Sequence, residues 1–280
     1  MRVAAGLLLA ASLFAQQRII STTPSVTEIL FALGLGPRVV GVTTFCRYPE
    51  EARRLPKIGT FLDPSMETIL GLRPDLVIVQ KNPVRLTERL RAVGLRVIEV
   101  DPESMEGVHQ TIAEIARTVG IEKQGRELSA RIRSGIEKVK RVTAKLPRRR
   151  VVFFVGRTPG TLDGLIAAAK GSYLTELLAD AGGENIFEDS PAAYPKVSLE
   201  ELLARDPEVI LDMGDSTLTG AITEEHKREV IRLWDRYQTL SAVRNHRVYP
   251  VADDRFVIPG PRMVEALRIF AKLLHPEARW

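Results

Sequence analysis

The stretches "SMETILGLRPDLVIV", Ser65–Val79, and "SLEELLARDPEVILD", Ser198–Asp212, follow one template. Each runs serine, an apolar residue, glutamate, a helical apolar pair, proline, an acidic residue and then a β-rich apolar run. Ser65 and Ser198, Glu67 and Glu200, Leu70 and Leu203, and Pro74 and Pro207 all stand 133 positions apart. A serine suited to N-capping, a short apolar period and a helix-stopping proline predict a helix that feeds a buried strand. Two copies of that unit predict two lobes related by internal duplication.

The segments around the first copy extend the pattern. "RIIST" reads as a strand, and "SVTEILFALGLG" as a helix with Ser25 as N-cap and Glu28 completing a capping box. A strand "RVVGVT" follows, then a turn-rich loop from Thr44 to Pro64 that carries Phe45, Tyr48 and Phe61. After the copy come helix "RLTERLRAVG" and strand "RVIEV". Strands separated by helices of about ten residues predict a parallel sheet covered on both faces, a three-layer αβα lobe over residues 18–103. Residues 104–147 hold no strand-like run. Ile132, Ile136, Val139 and Val142 recur there at helical spacing, and a break near Gly120 predicts two interlobe helices. Alternation resumes over 148–280: strand "VVFFV", loop "GRTPGTLDG", helix "YLTELLADAG", "GENIF", the second copy, a helix over Glu229–Tyr237, strand "RVYPV" and a last helix over Pro261–Leu274. The fold class is α/β, two three-layer lobes joined by a long backbone helix.

The chain has 280 residues, 45% hydrophobic and 27% charged, which fits a globular protein and neither a disordered chain nor a membrane bundle. Its start, "MRVAAGLLLAASLFAQQ", carries Arg2 and then an apolar or small run from Val3 to Ala15. A bilayer span takes about 20 residues. The run is shorter and ends in a small residue, so residues 1–15 read as a cleavable secretory signal and the mature chain is expected in the periplasm; the alternative is a buried N-terminal helix. Cys46 is the sole cysteine, so no intrachain disulfide can form. The net charge of +5 comes without aromatic-basic interleaving, and its densest run, "KLPRRR" at Lys145–Arg150, falls at a helix-to-strand junction. Nucleic acid is therefore not an expected partner. His109, His226, His246 and His275 are scattered, with no paired-histidine helix face and no Gly-rich phosphate loop, so neither an enzyme nor a metal centre is expected.

With serine as N-cap, Glu67 and Glu200 fall at the second helical position. Helix-end electrostatics favour an acid there by about 0.3–1 kcal/mol. A capping box would place the acid one residue later, where Glu201 stands in the second copy and Thr68 in the first. Capping thus does not demand the repeated glutamates, and the residues alone leave function and helix-end electrostatics as alternatives.

Several segments carry a family resemblance: "STTPSVTEILFALGLGPRVVGVT" from Ser21, "YPEEA" from Tyr48, "METILGLRPDLVI" from Met66, "GGENIF" from Gly182, "YPKVSLEELLARDPEVIL" from Tyr194 and "GPR" from Gly260. In order and spacing the chain resembles the class III periplasmic substrate-binding proteins of ABC transporters, and most closely the cobalamin-binding members. The resemblance implies a monomer that captures cobalamin or a related corrinoid between its lobes and delivers it to a permease dimer with its ATPase subunits. Cobalamin is then cargo, and no resident cofactor is implied. It also implies that Glu67 and Glu200, one on each lobe, meet arginines of the permease. A ferric siderophore or haem is the alternative cargo. A secreted scaffold or an enzyme is the alternative class.

A corrinoid is broad, apolar on its faces and amide-rimmed, so its cleft needs rings or aliphatic faces and a few hydrogen-bonding groups. The candidate contacts are Pro24 and Ser25 in the first turn, Phe45, Cys46 and Phe61 in the long loop, Gln80, Tyr194, and Asp254, Arg255, Phe256 and Val257. Each lone Phe has core packing as its plain alternative. The resemblance places Phe61, Gln80, Tyr194 and Arg255 where cobalamin-binding relatives keep tryptophans, and Arg255 suits an anionic cargo. Cys46 is a candidate contact to cobalt or iron, its alternative being a small inert residue.

Overall fold

The computed structural model describes residues 17–82, 84–214 and 223–280, so the expected signal segment, residues 1–15, lies outside the described residues. The first sheet is built from β1 (Ile19–Ser21), β2 (Val39–Val42), β3 (Leu76–Gln80) and β4 (Val97–Val100). With these strands come α1 (Pro24–Ala32), the short α2 (Glu50–Arg53), α3 (Met66–Gly71) and α4 (Leu86–Ala92). Two helices follow, α5 (Met105–Val119) and α6 (Glu122–Thr143), separated by Gly120 in the left-handed conformation. The second sheet holds β5 (Arg149–Gly156), β6 (Ile166–Ala167), β7 (Gly183–Asn185), β8 (Val209–Asp212) and β9 (Val248–Pro250). Its helices are α7 (Tyr173–Asp180), α8 (Leu199–Arg205), α9 (Glu224–Trp234), α10 (Ser241–Arg244) and α11 (Met263–Leu274).

The helix expected over Glu229–Tyr237 begins earlier, because Thr223 caps it by accepting from His226 N at 3.1 Å. The last helix starts at Met263, later than the expected Pro261.

Strand order repeats between the sheets. The first is β2-β1-β3-β4, all parallel, and the second keeps the same parallel order as β7-β5-β8-β9, with β6 added antiparallel along the C-terminal half of β5. Side chains alternate across each sheet. In the first, Ile19, Leu76 and Ile78 face one core while Ile20, Val77 and Val79 face another under α3 and α4. In the second, Val151, Phe153, Val209 and Leu211 face the same core as Ile19, whereas Val152, Phe154 and Ile210 pack against Leu202 of α8 and Trp234 of α9. The inner faces of both sheets thus share one apolar layer formed by α1, α5, α6, α7 and α11. On α6 the buried stripe is Leu128, Ile132, Ile136 and Val139; the expected Val142 is only half-buried, and Thr143 takes the interior position. Gly135 lets α6 approach α11, since a Cβ there would lie 2.6 Å from Val264.

The structure explains why the template ends in proline and an acid. The residue before each proline, Arg73 or Asp206, takes positive φ (46° and 38°) and stops its helix. The following acid then fastens its strand to the lobe's first strand. Asp75 accepts from Arg18 N at 2.7 Å and returns its own N–H to Arg18 O at 2.8 Å; Glu208 and Arg150 repeat the exchange at 2.9 Å in both directions. Arg18 and Arg150 also donate their guanidinium groups to the last carbonyls of the two helices, Leu72 and Arg205. Asp75→Ala or Glu208→Ala should cost about 1.5–3 kcal/mol, the worth of a charge-assisted hydrogen bond, read as a lower urea midpoint with an unchanged slope.

Candidate functional site

Apart from β6 every strand runs parallel within its sheet, so the strand C-termini line one edge of each lobe, where open α/β sheets hold ligands. The loops at that edge carry nearly all the sequence-predicted residues. Pro24 and Ser25 follow β1, Phe45 and Cys46 follow β2, Gln80 ends β3, and Asp254 and Arg255 follow β9. α3 and α8 each reach the next strand through a short link and so run antiparallel to it. Their N-termini, with Glu67 and Glu200, and the preceding loops, with Phe61 and Tyr194, lie at the same edge.

Ser25 is not the cap of α1. Thr23 occupies that position without a side-chain cap bond, and Pro24, with φ already fixed, opens the helix. Ser25 lies buried in the first turn, so Glu28 closes no capping box. Glu28 is instead buried at the lobe junction, 3% exposed, and accepts from Arg262 through Nε at 2.9 Å and through Nη2. Arg262 precedes α11, donates to Asp254 at 2.9 Å and stacks on the Tyr48 ring at 4.1 Å. This bidentate pair ties the two lobes together. Burial raises the Glu28 carboxyl to about 7 against the opposing pull of Arg262.

Phe45 keeps half its surface exposed, whereas Phe61 is half-buried. Cys46 is a correction: it is fully buried in the shared core, with Thr27 Oγ1 and Thr43 Oγ1 each 3.1 Å from Sγ. Burial pushes its thiol up, so the thiolate that would ligate a metal is disfavoured. Phe256 is a second correction. It stacks on Phe270 at 5.1 Å and meets Phe153 edge-on inside the core, and Val257 beside it packs half-buried against the same cluster. A turn of 3-10 helix over Asp254–Phe256 directs the Phe inward.

Arg255 is held at the surface by Asp253 at 2.8 Å and Glu265 at 3.4 Å. Asp254 is committed to Arg262. Gln80, buried at the end of β3, donates through Nε2 to Glu103 on the segment leading into α5. Tyr194 comes from the second lobe, where the Ala193 and Pro195 carbonyls accept from Ala169 and Ala167 N–H groups at 2.8 and 3.0 Å and grip it on both sides. Its phenol is pushed up to about 12 by desolvation and by the charge of Glu103, which places the two groups within electrostatic reach. Glu67 and Glu200 are exposed, and neither makes an ion pair among the described residues. Their serines cap as expected: Ser65 accepts from Thr68 N at 3.2 Å and Ser198 from Glu201 N at 3.1 Å. Glu201 spends its charge on Arg205 at 2.9 Å. A groove of about 470 Å³ between α5 and α6 is bordered by none of the sequence-predicted residues.

A family model of periplasmic binding proteins matches residues 19–254. The chain belongs to the periplasmic binding protein family. The vitamin B12-binding protein of Vibrio cholerae serotype O1 is 29% identical over 257 residues, 91% of this chain and 87% of that one. The solved structure of the periplasmic vitamin B12 binding protein BtuF of Vibrio cholerae is similar at a TM-score of 0.78 and 28% identity, covering 93% of this chain and 97% of that one. The periplasmic heme-binding protein RhuT from Roseiflexus sp. RS-1 is similar at a TM-score of 0.79 and 27% identity, covering 94% and 99%. The α/β architecture is that of these binding proteins.

Sequence reasoning missed two residues that organise this periplasmic binding protein's lobe junction. Glu28 was hidden by a plausible capping-box spacing, although its place among the apolar Val26, Ile29 and Leu30 marks an acid in need of a buried partner. Arg262 stands in the "GPR" motif but carried no assigned role. No helix among the described residues is long and apolar enough to cross a membrane.

Glu28 generates a pH prediction. Its carboxyl, ordinarily at 4.5 and here near 7, binds its proton more tightly folded than unfolded. That stabilisation is complete below the unfolded value and is lost as pH rises through the folded one. The stability of the wild type relative to Glu28→Gln should therefore fall between about pH 5 and 7.5, measured by thermal melts at both values. A margin that stays level over this range instead would show Arg262 holding the carboxylate ionised throughout.

Proposed function

We propose that this periplasmic binding protein captures cobalamin or a related corrinoid between its lobes and hands it to an ABC permease. The observation that carries the reading is the state of the arginines at the strand edge. Arg255 is tied to Asp253 and Glu265, and Arg262 to Glu28 and Asp254, so their charges are already met by carboxylates. A cargo with carboxylates of its own gains little from guanidinium groups so engaged. An amide-rimmed, broadly apolar cargo suits what remains: the exposed rings of Phe45 and Tyr194, the Gln80 amide and the Glu103 carboxylate. The names of the B12-binding relatives support the same cargo. Pro24, Ser25 and Phe61 complete the proposed lining, and binding involves no chemistry on the cargo.

Haem is the second reading, favoured by the similarity to RhuT. Calorimetric titration of the purified chain with cyanocobalamin, haemin and a ferric siderophore separates the readings. Saturable binding of cyanocobalamin alone is expected. Saturable binding of haemin alone would replace the corrinoid reading, and no binding to any of the three would favour a scaffold.

Delivery rests on Glu67 and Glu200. Two exposed carboxylates with no ion pair among the described residues, at the same edge of two duplicated units, suit docking by charge complementarity with a two-subunit membrane partner. In this reading the chain works as a monomer in the periplasm after export through its N-terminal segment. Glu67→Ala and Glu200→Ala should each lower uptake in a transport assay and leave calorimetric affinity within about twofold, because helix-end acids exposed to solvent act mainly through the encounter. Weakened ligand binding in isolation would remove the docking assignment.

A further inference from the structure

Glu103 lies outside the residues the sequence marked, yet it occupies a built position. Between β4 and α5, Asp101 Oδ1 accepts from Glu103 N at 3.3 Å, closing a tight turn. Ser104 then caps α5 by accepting from Gly107 N at 2.9 Å. Gly107 is what allows this turn to fold back on the helix, since a Cβ there would collide with the Asp101 carbonyl. The second lobe anchors the same segment, because Glu176 on α7 accepts from Met105 N at 3.0 Å. Glu103 thus projects from a turn fixed by both lobes, and its side chain is exposed.

Its side-chain hydrogen bond comes from the first lobe and a longer-range neighbour from the second. Gln80 of the first lobe donates to Oε1. Tyr194 of the second lobe lies within reach of its charge. Desolvation, then Asp101, raise the Glu103 carboxyl above its ordinary value against the Gln80 hydrogen bond. Oε2 makes no hydrogen bond to another described residue.

We propose that Glu103 is the residue that selects the charge of the cargo's rim: it accepts hydrogen bonds from side-chain amide N–H groups and repels carboxylates at the same place. The inference rests on the corrinoid reading and adds to it a rule for choosing among closely similar corrinoids. Gln80 carries no charge and its amide nitrogen is already given to Glu103, so discrimination by charge falls to the carboxylate. An acceptor-only group facing an amide gains a charge-assisted hydrogen bond, whereas facing a carboxylate it meets a like charge in partly desolvated surroundings.

The test compares cyanocobalamin with its monocarboxylic derivatives, in which hydrolysis converts one rim amide to a carboxylate, by calorimetric titration at pH 7.5. Wild-type protein is expected to bind cyanocobalamin more than about tenfold tighter than at least one derivative, the scale of a like-charge penalty of one pKa unit. In Glu103→Gln, and in Glu103→Ala as a second variant at this exposed position, that ratio should fall below about threefold on the same scale. A ratio unchanged in both variants overturns the role of Glu103 while leaving the corrinoid reading intact. A wild type that binds no corrinoid overturns the reading itself and this inference with it.

Discussion

One layer of helices serves both sheets, and the rest of the molecule depends on that sharing. Ile19 and Ile78 of the first sheet and Phe153 and Leu211 of the second bury against the same cluster of α1, α5, α6, α7 and α11 side chains. A hinge that separated the lobes would expose this apolar surface, at roughly 25 cal/mol for each Å² returned to water. The Glu28–Arg262 pair lies within the same junction. Pulling one member of a buried pair from the other costs about 3–5 kcal/mol, because an uncompensated charge is left behind. The connector helices are thus one part of a broader restraint, in which packing and a buried ion pair act together.

Charge around the strand edge is arranged by commitment. Arg255, whose sequence position suggested an anionic cargo, turns out to be paired with two carboxylates, as is Arg262, while the duplicated acids Glu67 and Glu200 make no ion pair among the described residues. Each copy of the template therefore holds two acids with opposite fates. The acid after the proline is consumed in fastening a strand, and the acid at the second helical position is left facing solvent. In the second copy Glu201 shows what an acid does when it can find a local partner, closing onto Arg205.

Most of the fold was legible because it rests on local periodicities. Repetition of the Ser-x-Glu…Pro-acid unit pointed to two related sheets, and the strand order repeats between them. Apolar spacing from Ile132 to Val139 identified α6, and Gly120 the break before it. The misplacements come from long-range contacts. Ser25 and Glu28 have capping-box spacing, but a partner 234 positions away claims the glutamate. Phe256 and Cys46 lie in loop segments, where a ring or thiol reads as available, and tertiary packing turned both into the core. Glu103 gave no sequence signal at all, since its position depends on a turn, a glycine and a hydrogen bond from the other lobe.

The main-chain grip on Tyr194 and the buried Glu28–Arg262 pair bear on how cargo would arrive. On the reading proposed above, with the lobe junction locked and the backbone beside Tyr194 pinned, a cleft between the lobes would keep its width before any encounter. The parts left free to adjust are ring and amide rotamers at the rim, which flip in picoseconds to nanoseconds, whereas hinge motions take microseconds to milliseconds. If the chain carries cargo as proposed, entry would be governed by diffusion and orientation at the opening, and the loaded state would last until an outside force parted what thermal motion alone seldom opens.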